Sequence, residues 1–356
     1  MALPPVFQRL MAFCLSCGFR ELPEPLKNDL RNYANDYFNL HQSTPDHDLF
    51  FGFFTPMWLN LMARHHFFEA IKIWNLSLGL AIDWENNNGP NKVHKGTPYY
   101  FLGVTAILNN ELENGFLAMH QAMKEDEKRS RRRRPEAPAY WFNTLDSTRQ
   151  DQFFIQKVEE VAAYLDDRLY EYSINRERLL RLREFRSRFL RLRYLSEEVF
   201  FFVYSLFRIR KMIYETDWIY KKNVFGSLLQ ARILFDLSLV VDKVIENKNI
   251  RRSDRSTFRE EILYLSTPPR NLLSFNRNML RTLNNEFDND FGETMYRLVL
   301  GTYPNLNDIE RDFAIAYGIR NRGAHKLENQ PVIYDRTQEL TQSVLNALFF
   351  TVENLY

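Results

Sequence analysis

Apolar residues recur every three or four positions through most of this 356-residue chain, and that spacing predicts helices. The clearest stretches are 200–207, about 223–246 and about 335–354. Pro268 and Pro269 interrupt the pattern, and shorter helices are expected from there to about Leu300. Glycine is scarce, with 12 residues, so the turn signals that separate short strands are few. The pattern therefore predicts an all-α protein.

Two sets of apolar and small residues follow one another in the first part of the chain, at the spacing of paired helices. The first set is Phe54, Met57, Trp58, Leu61, Ala70, Trp74 and Ser77, and the second is Tyr99, Leu102, Gly103, Ala106, Gly115, Met119 and Ala122. Both sets resemble the register of the tetratricopeptide repeat. In the second set, Gly103 and Gly115 are expected where two helices cross closely. An ordinary helical bundle with small residues at its crossings explains the pattern equally well.

The chain is expected to have three parts: a helical, tetratricopeptide-like region at 1–150, a long basic connecting helix at 151–195, and a helical bundle at 196–356. In the middle part an apolar seam of heptad-like spacing runs through Leu182, Phe185, Phe189 and Leu192. Arginines are spread around the rest of that surface: Arg176, Arg178, Arg181, Arg183, Arg186, Arg188, Arg191 and Arg193. They would either lie along RNA or cover apolar surface with their stems.

Charge is concentrated locally, since the whole chain carries a formal net charge of only +2. The basic run at 128–138 ends in two prolines and is expected to form an exposed loop. Such a loop would serve either as an arm that contacts phosphate groups or as a solvated linker. Both functions remain open on the sequence.

Cysteine content and hydropathy indicate a soluble, cytoplasmic protein. The two cysteines, Cys14 and Cys17, lack a second pair, and the nearest histidines, His41 and His47, are loosely spaced, so we expect no metal site. So few cysteines fit a reducing compartment. The longest apolar run, at 199–207, is far shorter than the ~20 residues of a membrane span, and no secretory signal pattern precedes it.

The most informative stretch is IRNRGAHK at 319–326, which follows an amphipathic run at 308–319. Arg320 and His325 are five residues apart, so on an uninterrupted helix their side chains would point about 140° apart. They can meet at one ligand only if the helix ends or bends between them, and Gly323 would permit that. A loop containing Pro331 is expected to follow.

This string resembles the motif of the HEPN superfamily, which is an arginine, a polar residue, any three residues and a histidine near the end of a late helix. The resemblance extends to the helical context of roughly the last 150 residues. It implies a helical bundle. Many members of the family are metal-independent ribonucleases that act as dimers, with two copies of the motif forming one cleft.

The chemistry of RNA cleavage suggests roles for the motif residues. RNA supplies its own nucleophile, the 2′-hydroxyl, so cleavage needs a base, an acid and a stabiliser of charge at phosphorus. His325 is the expected acid or base, Arg320 the charge stabiliser, and Asn321 the residue that orients the phosphate or the partner histidine. Arg322 and Lys326 are expected to contact flanking phosphates. The alternative is that Arg320 caps a helix end and His325 is an ordinary surface residue.

A pair of opposite charges lies on the predicted helix at about 223–246. Arg232 and Asp236 stand four residues apart there, close to Asp242. Such a pair is most often a surface salt bridge, although it would also serve as a second shell that orients the catalytic arginine.

The sequence thus predicts a cofactor-free endoribonuclease that acts on RNA as a homodimer. The resemblance implies a role in stress response, toxin–antitoxin pairs or antiviral defence. A protein trigger or antitoxin would bind the N-terminal helical region. The alternative is a non-catalytic scaffold or partner-binding protein that uses a degenerate HEPN bundle only for dimerisation.

Overall fold

The computed structural model describes residues 3–16, 21–42, 48–89, 92–129, 137–220, 224–249, 257–322 and 330–356. Within these ranges the backbone forms α-helices with short 3-10 and π-helical turns and contains no strand, which confirms the all-α prediction. No helix in the same ranges combines the length and the apolar character required to cross a membrane. The chain divides into two compact units, Met1–Phe142 with Asp146–Val158, and Asn143–Leu145 with Glu159–Tyr356.

The first unit is built on buried aromatic side chains. Its helices are α1 (Pro5–Ser16), α2 (Glu24–Leu40), α3 (Asp48–Gly52), α4 (Thr55–Ala63), α5 (Phe67–Asn87), α6 (Gly96–Leu108), α7 (Leu112–Arg129) and α8 (Pro138–Asn143). Trp58, Trp74 and Phe54 are fully buried, and the Trp58 indole donates a 2.8 Å hydrogen bond to the Thr105 hydroxyl. Burial of such large rings supplies much of the stability of a helical unit this size.

Helices α6 and α7 cross closely at Gly103 and Gly115, as predicted. A Cβ atom on Gly103 would lie 3.0 Å from the Gly115 carbonyl oxygen, and one on Gly115 would lie 2.9 Å from the Ile107 nitrogen. Only glycine permits this approach of the two backbones. The tetratricopeptide likeness of the helix pairs stays a prediction.

The remaining helices belong to the second unit, apart from the first four residues of α9 (Ile155–Asn175), which belong to the first. These helices are α9, α10 (Leu182–Phe185), α11 (Ser196–Tyr220), α12 (Val224–Glu246), α13 (Phe258–Ser266), α14 (Arg277–Asn289), α15 (Phe291–Val299), α16 (Asp308–Arg322), α17 (Pro331–Asp335) and α18 (Thr337–Leu355). The predicted helices at 200–207, 223–246 and 335–354 correspond to α11, α12 and α18. Pro331 is the first residue of α17, so the expected loop containing Pro331 was wrong at that residue. Proline is favoured there because the first turn of a helix needs no N–H from it.

The stretch 151–195 is interrupted and does not form one continuous helix. Helix α9 ends at Asn175, and Glu177 adopts a φ of 51°, which a right-handed helix cannot contain. The chain then forms α10 and a π-helical turn at Arg186–Leu190. Phe185 and Phe189 of the expected seam are buried, while Leu182 and Leu192 are half-buried.

Several of the arginines in this stretch bind protein groups. Arg176 contacts Asp312, Arg178 lies over the Phe350 ring, and Arg188 donates to the Glu353 carbonyl oxygen. These side chains therefore stabilise the second unit itself. Arg181 and Arg183 are exposed.

Helix α16 is the central element of the second unit. It contacts α12, α13, α14, α15 and α18, and every residue from 312 to 319 is buried, so the amphipathic run expected there is enclosed on all sides. Its start is fixed by a capping box, in which Asn307 and Glu310 each accept a hydrogen bond from the other's backbone nitrogen at 3.0 Å. The helix comes to the surface again at its last turn, where Arg320 is partly exposed and Asn321 is exposed.

Candidate active site

Arg320 is held by a buried carboxylate at the point where α16 reaches the surface. Its Nε donates a 3.0 Å hydrogen bond to Asp242 Oδ2, and the side chains are 32% and 9% exposed. The Phe235 ring lies 5.8 Å from the guanidinium carbon. Among the described residues no protein group binds the two terminal nitrogens. Asp242 and Phe235 therefore orient the guanidinium and leave its fork available to a ligand.

Burial makes Asp242 an unusual partner for Arg320. Removal from water raises the pKa of this carboxyl above its ordinary value, even though Arg320 opposes the shift. A buried carboxylate costs free energy unless it is paired, so the Arg320 contact offsets that cost. The alternative was that Arg320 caps a helix end. In the structure its side chain instead contacts the carboxylate of Asp242, on another helix.

The sequence left open that the pair of Arg232 and Asp236 orients Arg320. The Arg232–Asp236 ion pair forms at 3.0 Å, and Asp236 also accepts a 2.9 Å hydrogen bond from Arg208. Asp242, rather than Asp236, contacts Arg320. The two carboxylates are six residues apart on α12, which separates them by more than one helical turn. Asp236 therefore pairs α11 with α12 and does not bind Arg320.

Asn321 points to a different side of α16 from Arg320. It lies near the hydroxyl of Tyr317, one turn earlier, and Tyr317 itself is buried, which raises the pKa of its phenol even though Asn321 opposes the shift. The two residues lie beside a cavity of about 340 Å³ next to α13 and α14. The Asn321 amide is therefore exposed and positioned at the rim of an open space.

Arg322 is engaged by the end of α14. It donates to the Phe287 carbonyl oxygen and forms a 2.9 Å ion pair with Asp288. Its side chain is only 18% exposed. This arginine ties the last turn of α16 to α14, whereas the sequence suggested that it would contact a flanking phosphate.

Two motif residues, His325 and Lys326, lie outside the described residues. So do Gly323, where a bend was expected, and Cys17 and His47 from the candidate thiol cluster. Residues 130–136 of the basic run also lie outside the described residues. The expectations attached to these residues stay predictions.

Cys14, the described member of the CxxC pair, is a core residue on α1. Burial raises the pKa of its thiol to about 12. A neutral thiol of this kind is neither a good metal ligand nor a good nucleophile. Within the described ranges, no group of three or more His, Cys, Asp or Glu side chains is arranged to hold a metal ion.

A second arginine–aspartate pair lies near the start of α16. Arg176 makes two contacts with Asp312, Nε to Oδ2 at 2.9 Å and Nη2 to Oδ1 at 3.2 Å, and Asn346 donates to Oδ2 at 3.1 Å. Asp312 is 1% exposed, and burial raises its pKa to about 6 despite these partners. Asp308 adds a 3.5 Å contact to Arg176. This network joins α9, α16 and α18.

Sequence reasoning missed three residues of the candidate site. Asp242 was noted only as an acidic residue in an apolar helix, although a carboxylate in such a position needs a cation. Arg259 and Arg281 line the cavity beside Asn321 and were not singled out. They come from helices about 40 to 60 residues earlier in the chain, and a single sequence carries no signal that joins them to the motif.

Comparison with known proteins adds no assignment to this geometry. No family model, no curated protein and no solved structure matches the chain.

Proposed function

We propose that the protein is a HEPN-type endoribonuclease whose active site is built on Arg320, Asn321 and His325. The observation that carries the proposal is the contact of Arg320 with Asp242. The carboxylate occupies Nε alone, and the fork of the guanidinium stays available at the surface end of a buried helix. A guanidinium fork that is fixed in place and partly desolvated is suited to two oxygens of a phosphate.

The proposed reaction is a transfer within the RNA strand. The 2′-oxygen forms a bond to phosphorus as its proton passes to a base, and the bond from phosphorus to the 5′-oxygen breaks as that oxygen receives a proton. The products are a 2′,3′-cyclic phosphate and a 5′-hydroxyl. Arg320 stabilises the negative charge that develops on the phosphoryl oxygens, and His325 transfers a proton.

The active unit is proposed to be a homodimer. One histidine cannot act as base and acid in the same step, whereas two copies of the motif across a two-fold axis supply both groups. The first unit would then regulate cleavage by binding a protein trigger or antitoxin, since its sequence carries no cluster of catalytic groups. One of its histidines, His66, is an exposed residue that precedes α5 and lies 3.8 Å from Glu69. The low cysteine content favours a reducing cytoplasm as the compartment.

The test is the end chemistry of the products. Purified protein mixed with RNA in excess chelator is expected to give cyclic phosphate and 5′-hydroxyl ends, while DNA of the same sequence stays intact. His325→Ala serves as the inactive control. Products with 5′-phosphates, or activity that depends on added magnesium, would place the active site elsewhere. The absence of any cleavage, together with a stable dimer, would favour the alternative of a non-catalytic scaffold that uses this bundle for dimerisation.

A further inference from the structure

The cavity beside Asn321 has a size and a lining suited to one nucleotide. Its volume of about 340 Å³ lies at the lower end of the range of small-molecule sites. Leu280 and Tyr317 contribute buried, apolar surface, and Thr257, Arg259, Arg281, Asn284 and Asn321 contribute polar groups. An apolar interior surrounded by a few polar groups is the usual composition of a site that binds one small ligand in a fixed orientation.

The two arginines of the cavity are available to a ligand. Arg281 is exposed, and among the described residues it has no ion-pair partner. Within the described part of the chain, Arg259 makes one ion-pair contact, at 3.5 Å with its neighbour Glu260, and both side chains are well exposed, at 49% and 39%. An exposed pair at this distance is weak and is readily exchanged for another anion. A phosphate group could therefore bind both guanidinium groups without breaking a buried contact.

The amides of the cavity favour a nucleotide over a simple phosphate ion. Asn284 donates to Asp288 at 2.9 Å, which leaves its carbonyl oxygen as an acceptor, and Asn321 is an exposed amide beside Tyr317. Asparagine side chains pair with the edges of unstacked bases, which offer both donors and acceptors. The combination of arginine and amide groups around one small space matches a phosphate joined to a base.

The cavity is adjacent to the proposed reaction centre. Arg320 and Asn321 are neighbours in the chain, and successive side chains on a helix diverge by about 100°. A strand bound by the Arg320 fork would reach the rim of the cavity by following the surface of the last turn of α16 from Arg320 to Asn321. Arg322 fixes this arrangement, because it joins the last turn of α16 to α14, the helix that carries Arg281 and Asn284.

We propose that this cavity binds one nucleotide of the RNA strand next to the cleaved bond. Arg259 and Arg281 hold its phosphate, and Asn284 and Asn321 contact its base. The proposal rests on the proposed function for the identity of the strand. The sequence suggested that Arg322 contacts a flanking phosphate. In this proposal Arg281, on α14, makes that contact instead.

The experiment compares two arginines of α14 in the full-length protein. Arg281 lines the cavity, whereas Arg277 is an exposed arginine one turn earlier that does not. Binding of a fluorescent, fully 2′-O-methylated oligoribonucleotide is measured by anisotropy at several salt concentrations, so that no strand is cleaved. Arg281→Ala is expected to weaken binding roughly tenfold. It should also reduce the slope of log affinity against log salt by about 0.7, the value for one phosphate of a single strand.

Arg277→Ala is the matched control, and it is expected to leave the salt slope unchanged. Arg281→Lys should restore the slope, because it keeps the charge. Equal losses in Arg281→Ala and Arg277→Ala would overturn the inference, since both would then act only through the general charge of the surface. Unchanged binding in Arg281→Ala would overturn it as well.

Cleavage of unmodified RNA, measured in parallel, separates the two proposals. If the wild-type protein cleaves RNA while the two alanine variants bind equally, the inference fails and the proposed function stands. If the wild-type protein cleaves nothing while Arg281→Ala alone loses binding, the nucleotide site is supported and the nuclease is not.

Discussion

Two arginine–aspartate pairs, one near each end of α16, differ in how completely the arginine is used. In the closed pair, Arg176 meets Asp312 through two contacts, and Asp308 takes a third position on the guanidinium. In the open pair, Arg320 meets Asp242 through Nε alone. The aspartate is buried in both cases, so the cost of desolvating a carboxylate is common to the two pairs. The two pairs differ in how many of the guanidinium nitrogens contact a carboxylate.

This comparison separates a structural ion pair from a candidate functional one. The closed pair satisfies its own charges and hydrogen bonds and needs no other molecule. In the open pair the carboxylate is buried against the arginine, while the terminal nitrogens of the arginine remain available at the last, partly exposed turn of α16. An arginine arranged in this way is more useful for binding a phosphate than for holding the fold together.

The largest effect is expected from breaking the closed pair. Arg176→Ala leaves Asp312 buried without its cation and should lower the free energy of unfolding by about 3–5 kcal/mol. Chemical denaturation followed by circular dichroism measures the change. Arg183→Ala, an exposed arginine in the same stretch, is the control and should change stability by no more than about 0.5 kcal/mol. A similar loss in both variants would mean that Arg176 is not specially important.

The second effect concerns the open pair and catalysis. Arg320→Ala should slow RNA cleavage about a hundredfold or more, on the order of 3 kcal/mol, because the charge at phosphorus loses its stabiliser. Arg320→Lys should recover little, since an ammonium cannot reproduce the fork. Initial rates on a labelled RNA give the comparison.

A double variant shows whether Arg320 acts through chemistry or through stability. Arg320→Ala alone leaves Asp242 unpaired and should cost about 1–3 kcal/mol of stability. Adding Asp242→Asn removes the uncompensated charge, so stability should recover while the cleavage rate stays low. Recovery of the rate in the double variant would contradict a direct role for Arg320.

The sequence predicted elements well where local pattern decides them, and contacts poorly where distant helices meet. The apolar period identified α11, α12, α16 and α18, because packing against a core needs one repeated face. The end of α9 was missed, and the residue that follows it, Arg176, contacts Asp312, some 136 residues later in the chain, which no local pattern indicates.

The same limit applies to the candidate site. The motif drew attention to Arg320 and Asn321, which are consecutive. The sequence left open that the Arg232–Asp236 pair orients Arg320, whereas the contact of Arg320 is with Asp242. The spacing of Arg232 and Asp236 is visible along one helix, whereas the approach of Asp242 to Arg320 depends on how α12 packs against α16. Arg281 carried no local signal at all.

The third prediction uses pH to compare the two aspartates. Burial raises the pKa of Asp312 from 3.8 to about 6, so the folded protein binds this proton more tightly than the unfolded chain. The contribution of Asp312 to stability is therefore fully present below about pH 4 and falls, by at most about 3 kcal/mol, as pH rises to 6. The difference in unfolding free energy between wild type and Asp312→Asn, measured from pH 3.5 to 7, should follow this curve.

For the open pair, the difference in unfolding free energy between wild type and variant should change with pH in the same direction. The pKa of Asp242 is also raised by burial, so the advantage of wild type over Asp242→Asn should shrink as pH rises through that range. A difference that grows with pH at either position would mean that the arginine contact outweighs burial there.

The smallest effect is expected at Gly318, which lies between the two pairs on α16. A Cβ atom at this position would lie 2.4 Å from Phe287 Cζ and 2.7 Å from Met295 Cε, so α14 and α15 would have to move. Gly318→Ala should therefore lower the free energy of unfolding by about 1–3 kcal/mol, the usual cost of overpacking a core. Thermal and chemical denaturation measure it. Gly79→Ala is the control, because it lies inside α5 with nothing within 4 Å of its Cβ position, and it should raise stability by about 0.5–1 kcal/mol.

Gly318→Ala also tests how far the open pair depends on its neighbours. Phe287 carries the carbonyl oxygen that holds Arg322, so pressure on Phe287 acts on the last turn of α16 from the α14 side. Asp242 holds Arg320 from α12, on another face of the helix. Cleavage by the folded Gly318→Ala protein should therefore fall far less than in Arg320→Ala, while binding at the cavity between α13 and α14 weakens more. A loss of cleavage as large as that of Arg320→Ala would show that the position of the guanidinium fork depends on α14, and that Asp242 alone does not fix it.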